Sequence, residues 1–120
     1  MSREYAEATE WPSDWLRAAL GLAALRTLEN GPSYGYAIIA KLADAGFGTI
    51  KGGTLYPLLS RFEQASLIST EWRPGKAGPG RKYFTLTDTG RSILDHQRRD
   101  WANFSHVVTE HLTPRKGTQS

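Results

Sequence analysis

The sequence predicts a mainly α, α+β fold in one domain, extended by a long C-terminal helix. Three observations carry this. Residues 14–65 hold three short segments with apolar residues at helical spacing. The period then changes to two across a pair of segments separated by a Gly/Pro-rich tip. A last stretch, 88–112, returns to helical spacing and carries no Gly or Pro after Gly90.

With 120 residues, 39% of them hydrophobic and 22% charged, the chain fills one small domain with polar ends. Cysteine is absent, which excludes a disulfide scaffold, a cysteine nucleophile and thiolate metal ligation. The most apolar run, Trp15 to Leu25, contains Arg17 and is shorter than the roughly 20 residues that span a bilayer. MSREYAEATE is acidic and has no apolar run, so the expectation is a soluble, cytoplasmic protein. The formal charge of +3 is unevenly spread. Residues 1–15 carry Arg3 against Glu4, Glu7, Glu10 and Asp14, a net −3, which leaves +6 for the rest. Residues 51–99 hold nine bases and four acids. A basic middle attracts polyanions.

Residues 1–12 read as a disordered acidic arm. Ser13 or Asp14 is the candidate cap of a first helix, about Asp14 to Glu29, stopped by Asn30-Gly31-Pro32. Its apolar residues cover nearly the whole circumference, which predicts burial on more than one side, part of it against a second subunit. Ser33 is the candidate cap of a second helix, Tyr34 to Ala45, with Ile38, Ile39 and Leu42 inward and Gly46-Phe47-Gly48 as its end. A third helix, Thr54 to about Ala65, buries Leu55, Leu58, Leu59 and Phe62. With Thr54 as its cap, Pro57 falls in the first turn, where a missing N–H costs nothing. Leu67–Arg73 and Lys82–Leu86 read as strands around a basic tip, residues 74–80. Thr87 caps the last helix, Asp88 to Leu112, and 113–120 form a polar tail. That helix spans about 37 Å at 1.5 Å per residue. Its Leu94, Gln97, Trp101, Phe104 and Val108 alternate in steps of three and four, a seam suited to another helix. Surplus apolar surface on the first and last helices predicts a homodimer.

Helix, helix, tight link, helix and basic hairpin make a winged helix-turn-helix over residues 13–87, with 88–112 as the dimerisation helix. In that arrangement the third helix enters the major groove and the wing follows the backbone or the minor groove. Ser60 and Gln64 lie opposite the buried stripe, and Tyr56 and Arg61 flank it. Lys51 and Thr54 stand where helix starts meet phosphate. Lys76, Arg81 and Lys82 lie on or beside the wing, and Tyr36 is a phosphate candidate in the second helix.

Four stretches make the sequence similar to one family: Leu28-Glu29-Asn30-Gly31-Pro32-Ser33-Tyr34-Gly35-Tyr36-Ala37-Ile38, Gly52-Gly53-Thr54-Leu55-Tyr56-Pro57-Leu58-Leu59-Ser60-Arg61-Phe62-Glu63, Leu67-Ile68, and Arg81-Lys82-Tyr83-Phe84-Thr85-Leu86-Thr87-Asp88-Thr89-Gly90-Arg91. The chain resembles the PadR family of bacterial transcriptional regulators, in its short form, from about Trp15 to Leu112. The resemblance implies a homodimeric DNA-binding regulator, usually a repressor, on a near-palindromic operator of double-stranded DNA. Two positions depart from the family pattern. Gly78-Pro79-Gly80-Arg81-Lys82 lacks the first arginine of the usual Gly-Arg-Pro-Arg-Lys, with Lys76 as the candidate replacement, and Lys51 stands where serine is common. Some short relatives bind flat aromatic compounds between subunits near a tryptophan of the last helix. Carried over, that makes Trp101 the effector-site candidate, with Trp15 and Phe104 as neighbours.

Catalysis finds no support. His96, His106 and His111 have no zinc-protease spacing, Gly46-Phe47-Gly48 follows a helix rather than a strand, and no serine sits in a nucleophile elbow. No cofactor or metal is expected. The alternative to a DNA-binding regulator is a winged-helix module that binds protein; the basic wing and Arg61 favour DNA.

Overall fold

The computed structural model of the chain describes residues 10–75 and 78–115. Along it run α1 (Ser13–Thr27), β1 (Ser33–Tyr34), α2 (Gly35–Leu42), a wider helical turn (Ala43–Phe47), α3 (Gly52–Gln64), β2 (Ile68–Arg73), β3 (Arg81–Leu86) and α4 (Asp88–Leu112). The expected α+β winged helix-turn-helix is present, and the last helix has the expected bounds. The two-residue β1 was not expected. It joins an antiparallel sheet in the order β1-β3-β2, pairing Ser33 with Phe84 and Tyr34 with Tyr83. Two residues are too few for a period of two to be visible in the sequence.

The core lies where the helices meet one face of this sheet. Leu25 of α1, Ile38 of α2, Leu55 and Leu59 of α3, Ile68 and Phe84 of the hairpin, and Leu94 of α4 are all buried in one cluster. Each side chain contributes about 1.5–3 kcal/mol by leaving water.

Three helix starts differ from expectation for a common reason: an extended backbone residue, not a hydroxyl or carboxylate, opens each helix. Pro12 precedes α1, and its carbonyl accepts from the Trp15 and Leu16 amides at 3.0 and 3.2 Å. Ser13 and Asp14 lie inside the first turn, where Asp14 pairs with Arg17 at 2.7 Å. Tyr34, not Ser33, precedes α2; Ser33 is buried in β1. Lys51 precedes α3, and its carbonyl accepts from the amides of Thr54 at 2.9 Å and Leu55 at 3.0 Å. Thr54 is therefore the third residue of α3 and Pro57 the sixth, inside the helix rather than at its start. Such a proline costs about 3 kcal/mol. The burial of Leu55, Leu58 and Leu59 outweighs it, and the helix continues to Gln64.

The end of α3 is built as a Schellman turn: the Leu67 amide donates to the Phe62 carbonyl at 2.9 Å and the Ser66 amide to Glu63 at 3.0 Å. Ser66 takes the left-handed conformation, φ 64°, usually left to glycine. Thr87 holds this turn against α4. Its Oγ1 donates to the Ser66 carbonyl at 2.7 Å and accepts from the Gly90 amide at 2.9 Å, which confirms it as the cap of α4. A side chain at 90 would overlap the Leu67 carbonyl, so only glycine lets α4 approach the sheet.

Past Leu94 the seam residues of α4 are exposed. Trp101 and Val108 stay partly covered, whereas Val107 is 63% and Leu112 72% exposed. Trp15 of α1 is also 63% exposed. The base of the helix is fastened instead to the end of α1, where Arg98 Nη2 donates to Glu29 Oε2 at 2.7 Å. That hydrogen bond raises the Arg98 pKa above the ordinary guanidinium value. Of the arm read over 1–12, only Glu10, Trp11 and Pro12 are described, and Trp11 is tied down: its Nε1 donates to the Gly46 carbonyl at 2.8 Å.

Candidate nucleic-acid interface

Helix α3 sits with its leucines inward, so its opposite face is set by the helical period. Ser60 and Gln64 are exposed there, beside Pro57. The hydroxyl and the amide have the donors and acceptors that base edges require. Tyr56 flanks this face on one side. Its ring lies across Gly35 at the start of α2, and a Cβ at 35 would overlap its hydroxyl. This close approach sets α2 and α3 together at their N-termini, with Tyr36 77% exposed and Lys51 exposed nearby in the chain order. Arg61 and Thr54 flank α3 on the other side. They line a groove of about 500 Å³ against α1, which Arg17 and Lys51 also border. Arg61 thus reaches the helix's outer face from the flank that looks toward α1, rather than from its centre.

The hairpin presents two different faces. Trp72 pairs with Lys82 and Thr70 with Phe84, so these four share one face; Arg73 pairs with Arg81 and Glu71 with Tyr83, so these share the other. The first face meets α3. Glu63 of α3 accepts from Thr70 Oγ1 at 3.0 Å and lies 3.9 Å from Lys82 Nζ. On the second face the arginines lie over tyrosines: Arg73 4.3 Å from the Tyr83 ring centre and Arg81 4.4 Å from that of Tyr34. The two tyrosine rings are 5.3 Å apart. Arg81 and Lys82, adjacent in sequence and expected to act alike, therefore point to opposite sides of the wing. Lys76 lies outside the described residues.

The structure brings Ser60, Gln64, Tyr56, Thr54, Lys51 and Lys82 around α3, and sets Arg81 apart on the outer face. Sequence reasoning missed Glu63, which tethers Lys82, and the Tyr34–Tyr83 pair, which seats the arginines. It also gave Trp72 no role beyond the strand. All of these depend on strand register and on the packing of α3 against the sheet rather than on spacing along the chain.

The three effector-site candidates are also close together. The Trp101 and Phe104 rings are 5.9 Å apart, edge to face. Trp15 and Trp101 line one cavity of about 280 Å³, with Trp11 and Phe47 as further walls that the sequence did not suggest. Phe104 and Trp101 line a second groove with Gly21, Leu22 and Phe62. Among the described residues there is no group of three His, Asp or Glu positioned for a metal ion, and no helix long and apolar enough to cross a membrane.

Comparison with known proteins agrees with this geometry. The family model of the transcriptional regulator PadR-like family matches residues 24–96, more than half of the chain. A PadR family transcriptional regulator from Eggerthella lenta is similar in structure, with a TM-score of 0.76 and 34% identity over 85% of this chain and 88% of that one. A PadR-like transcriptional regulator from Bacillus cereus has a TM-score of 0.75 and 30% identity over 85% of this chain and 99% of that one. An uncharacterized 37.1 kDa protein in a transposon of Streptomyces fradiae is 32% identical over 90 residues, 75% of this chain. The match spans only 25% of that curated relative's length. The family comprises regulators of transcription rather than enzymes. On sequence, fold and element order alike, the chain belongs to the PadR-like family of transcriptional regulators.

Proposed function

We propose that the protein is a sequence-specific DNA-binding regulator that works as a homodimeric repressor at a near-palindromic operator in the cytoplasm. The observation that supports this best is the pairing of α3 with the wing. A helix face of exposed polar side chains, Ser60 and Gln64, stands beside a lysine whose ammonium lies 3.9 Å from Glu63 of that same helix. The helix reads base edges from the major groove. Lys82, Lys51, Tyr36 and the helix start engage phosphates, which fix its register. Arg61 adds a long guanidinium from the flank.

The dimer forms through the exposed apolar seam of α4 and through α1. Two copies then place two α3 helices on one duplex. A flat aromatic effector fits the cavity between Trp15 and Trp101, where a second subunit's α4 completes the walls. Occupation there changes the angle between the two α3 helices and releases DNA.

The test is a mobility shift with DNA from upstream of the protein's own gene, repeated at rising salt. Binding weakens on a log–log plot with a slope of about −0.9 for each phosphate neutralised. No retardation by a well-folded dimer on any upstream fragment contradicts DNA binding and leaves the protein-binding module. For the effector, Trp101→Ala abolishes ligand-induced release and keeps operator binding; an unchanged ligand response removes Trp101 from that site.

A further inference from the structure

Three aromatic side chains outside the core lie on the wing or on the short strand beside it, and two of them are occupied. Tyr34 and Tyr83 lie against each other and beneath Arg81 and Arg73. Trp72 is different. It is 70% exposed, and no ring or cation of the described residues lies over it. Most of the ring's apolar surface is therefore free to pack on a partner. Its direction is fixed by register. Trp72 is paired with Lys82 and stands two residues from Thr70, and both Lys82 and Thr70 touch Glu63 of α3. Trp72 therefore projects on the α3 side of the wing, beside Lys82.

We infer that Trp72 is a DNA contact: its indole packs on the deoxyribose sugars of the strand that runs between α3 and the wing, while Lys82 holds the neighbouring phosphate. This rests on the DNA-binding reading above. A lysine beside an exposed aromatic offers a duplex backbone one group for the phosphate charge and one for the apolar face of the sugar. The contact is apolar, so it adds affinity without adding counterion release. It also tolerates any base sequence, since every nucleotide has a sugar face. Its strength differs from that of Lys82 in how it depends on salt.

Fluorescence anisotropy of a labelled duplex that the wild type retards, measured over a salt series, tests this with Trp72→Ala, Trp72→Phe and Lys82→Ala. Trp72→Ala weakens binding about ten-fold, on the scale of returning one large apolar side chain to water, and keeps the wild-type salt slope. Trp72→Phe keeps most of the affinity. Lys82→Ala lowers the slope by about one. DNA also changes the tryptophan emission of the wild type, and that change is reduced in Trp72→Phe. Thermal melting of the free protein is the same for all four, because Trp72 is exposed. Equal affinity of Trp72→Ala and wild type overturns the inference while leaving DNA binding intact. So does a shift of the monomer–dimer equilibrium in Trp72→Ala with DNA affinity unchanged, which assigns the ring to protein contact. A wild type that binds no duplex overturns the DNA-binding reading itself.

Discussion

The two halves of the molecule dispose of their apolar residues in opposite ways. In the winged core, Leu25, Leu28, Leu55, Leu59 and Leu94 are essentially out of water. In the distal half of α4, Phe104, Val107 and Leu112 are more than half exposed although they follow the same helical spacing. The spacing alone does not decide burial. A seam is buried only where another element of the chain covers it, and the three short helices and the hairpin fully bury α4 only as far as Leu94, with Trp101 partly covered beyond it. At 25 residues, α4 spans about 37 Å. Its far half is left largely uncovered by the described residues, and the partner proposed for it is a second copy.

The largest effect that separates the halves is expected at Leu59. Leu59→Ala leaves a cavity at the centre of the core and lowers the unfolding free energy by about 2–5 kcal/mol. The loss is the same at any protein concentration that keeps the dimer intact, and denaturant titration at two concentrations measures it. Phe104→Asp acts on the other half. It leaves the circular dichroism of the fold unchanged and weakens self-association by about 30-fold or more, on the scale of an interface hot spot. Sedimentation equilibrium reads this directly. An equal loss of fold and of association in both variants would erase the distinction between the regions. The smallest effect lies at the joint between them. Ser66→Gly removes the left-handed strain of a residue with a Cβ and stabilises by about 0.5–1 kcal/mol, seen as a raised midpoint in thermal unfolding.

Much of this architecture was legible in the chain. The helical segments, the hairpin and the whole of α4 follow from apolar spacing and from punctuation by Gly and Pro, which act locally. Thr87 was legible for the same reason: its cap bond reaches only to Gly90. The misread positions are those where non-local contact overrides a local signal. Ser33 has the chemistry of a cap, but β3 draws it into the sheet through the pairing with Phe84. Thr54 likewise has the chemistry of a cap, but α3 begins earlier, at Gly52, and buried leucines carry the helix across Pro57. The candidate interface was legible residue by residue on α3, because its outer face follows from its inner one. On the wing it was not. Arg81 and Lys82 look interchangeable until the register assigns them to opposite faces, and Glu63 gains its meaning only from where Thr70 and Lys82 stand.

The central claim is that two cores, joined through their overhanging helices, set two α3 helices on one duplex. Hydroxyl-radical footprinting of the wild type on its upstream DNA tests this most directly. The account predicts two protected segments related by a two-fold axis, their centres about one helical turn of 10–10.5 base pairs apart or a multiple of it, lost together in Phe104→Asp. A single protected segment, or a paired footprint that Phe104→Asp leaves intact, would contradict it.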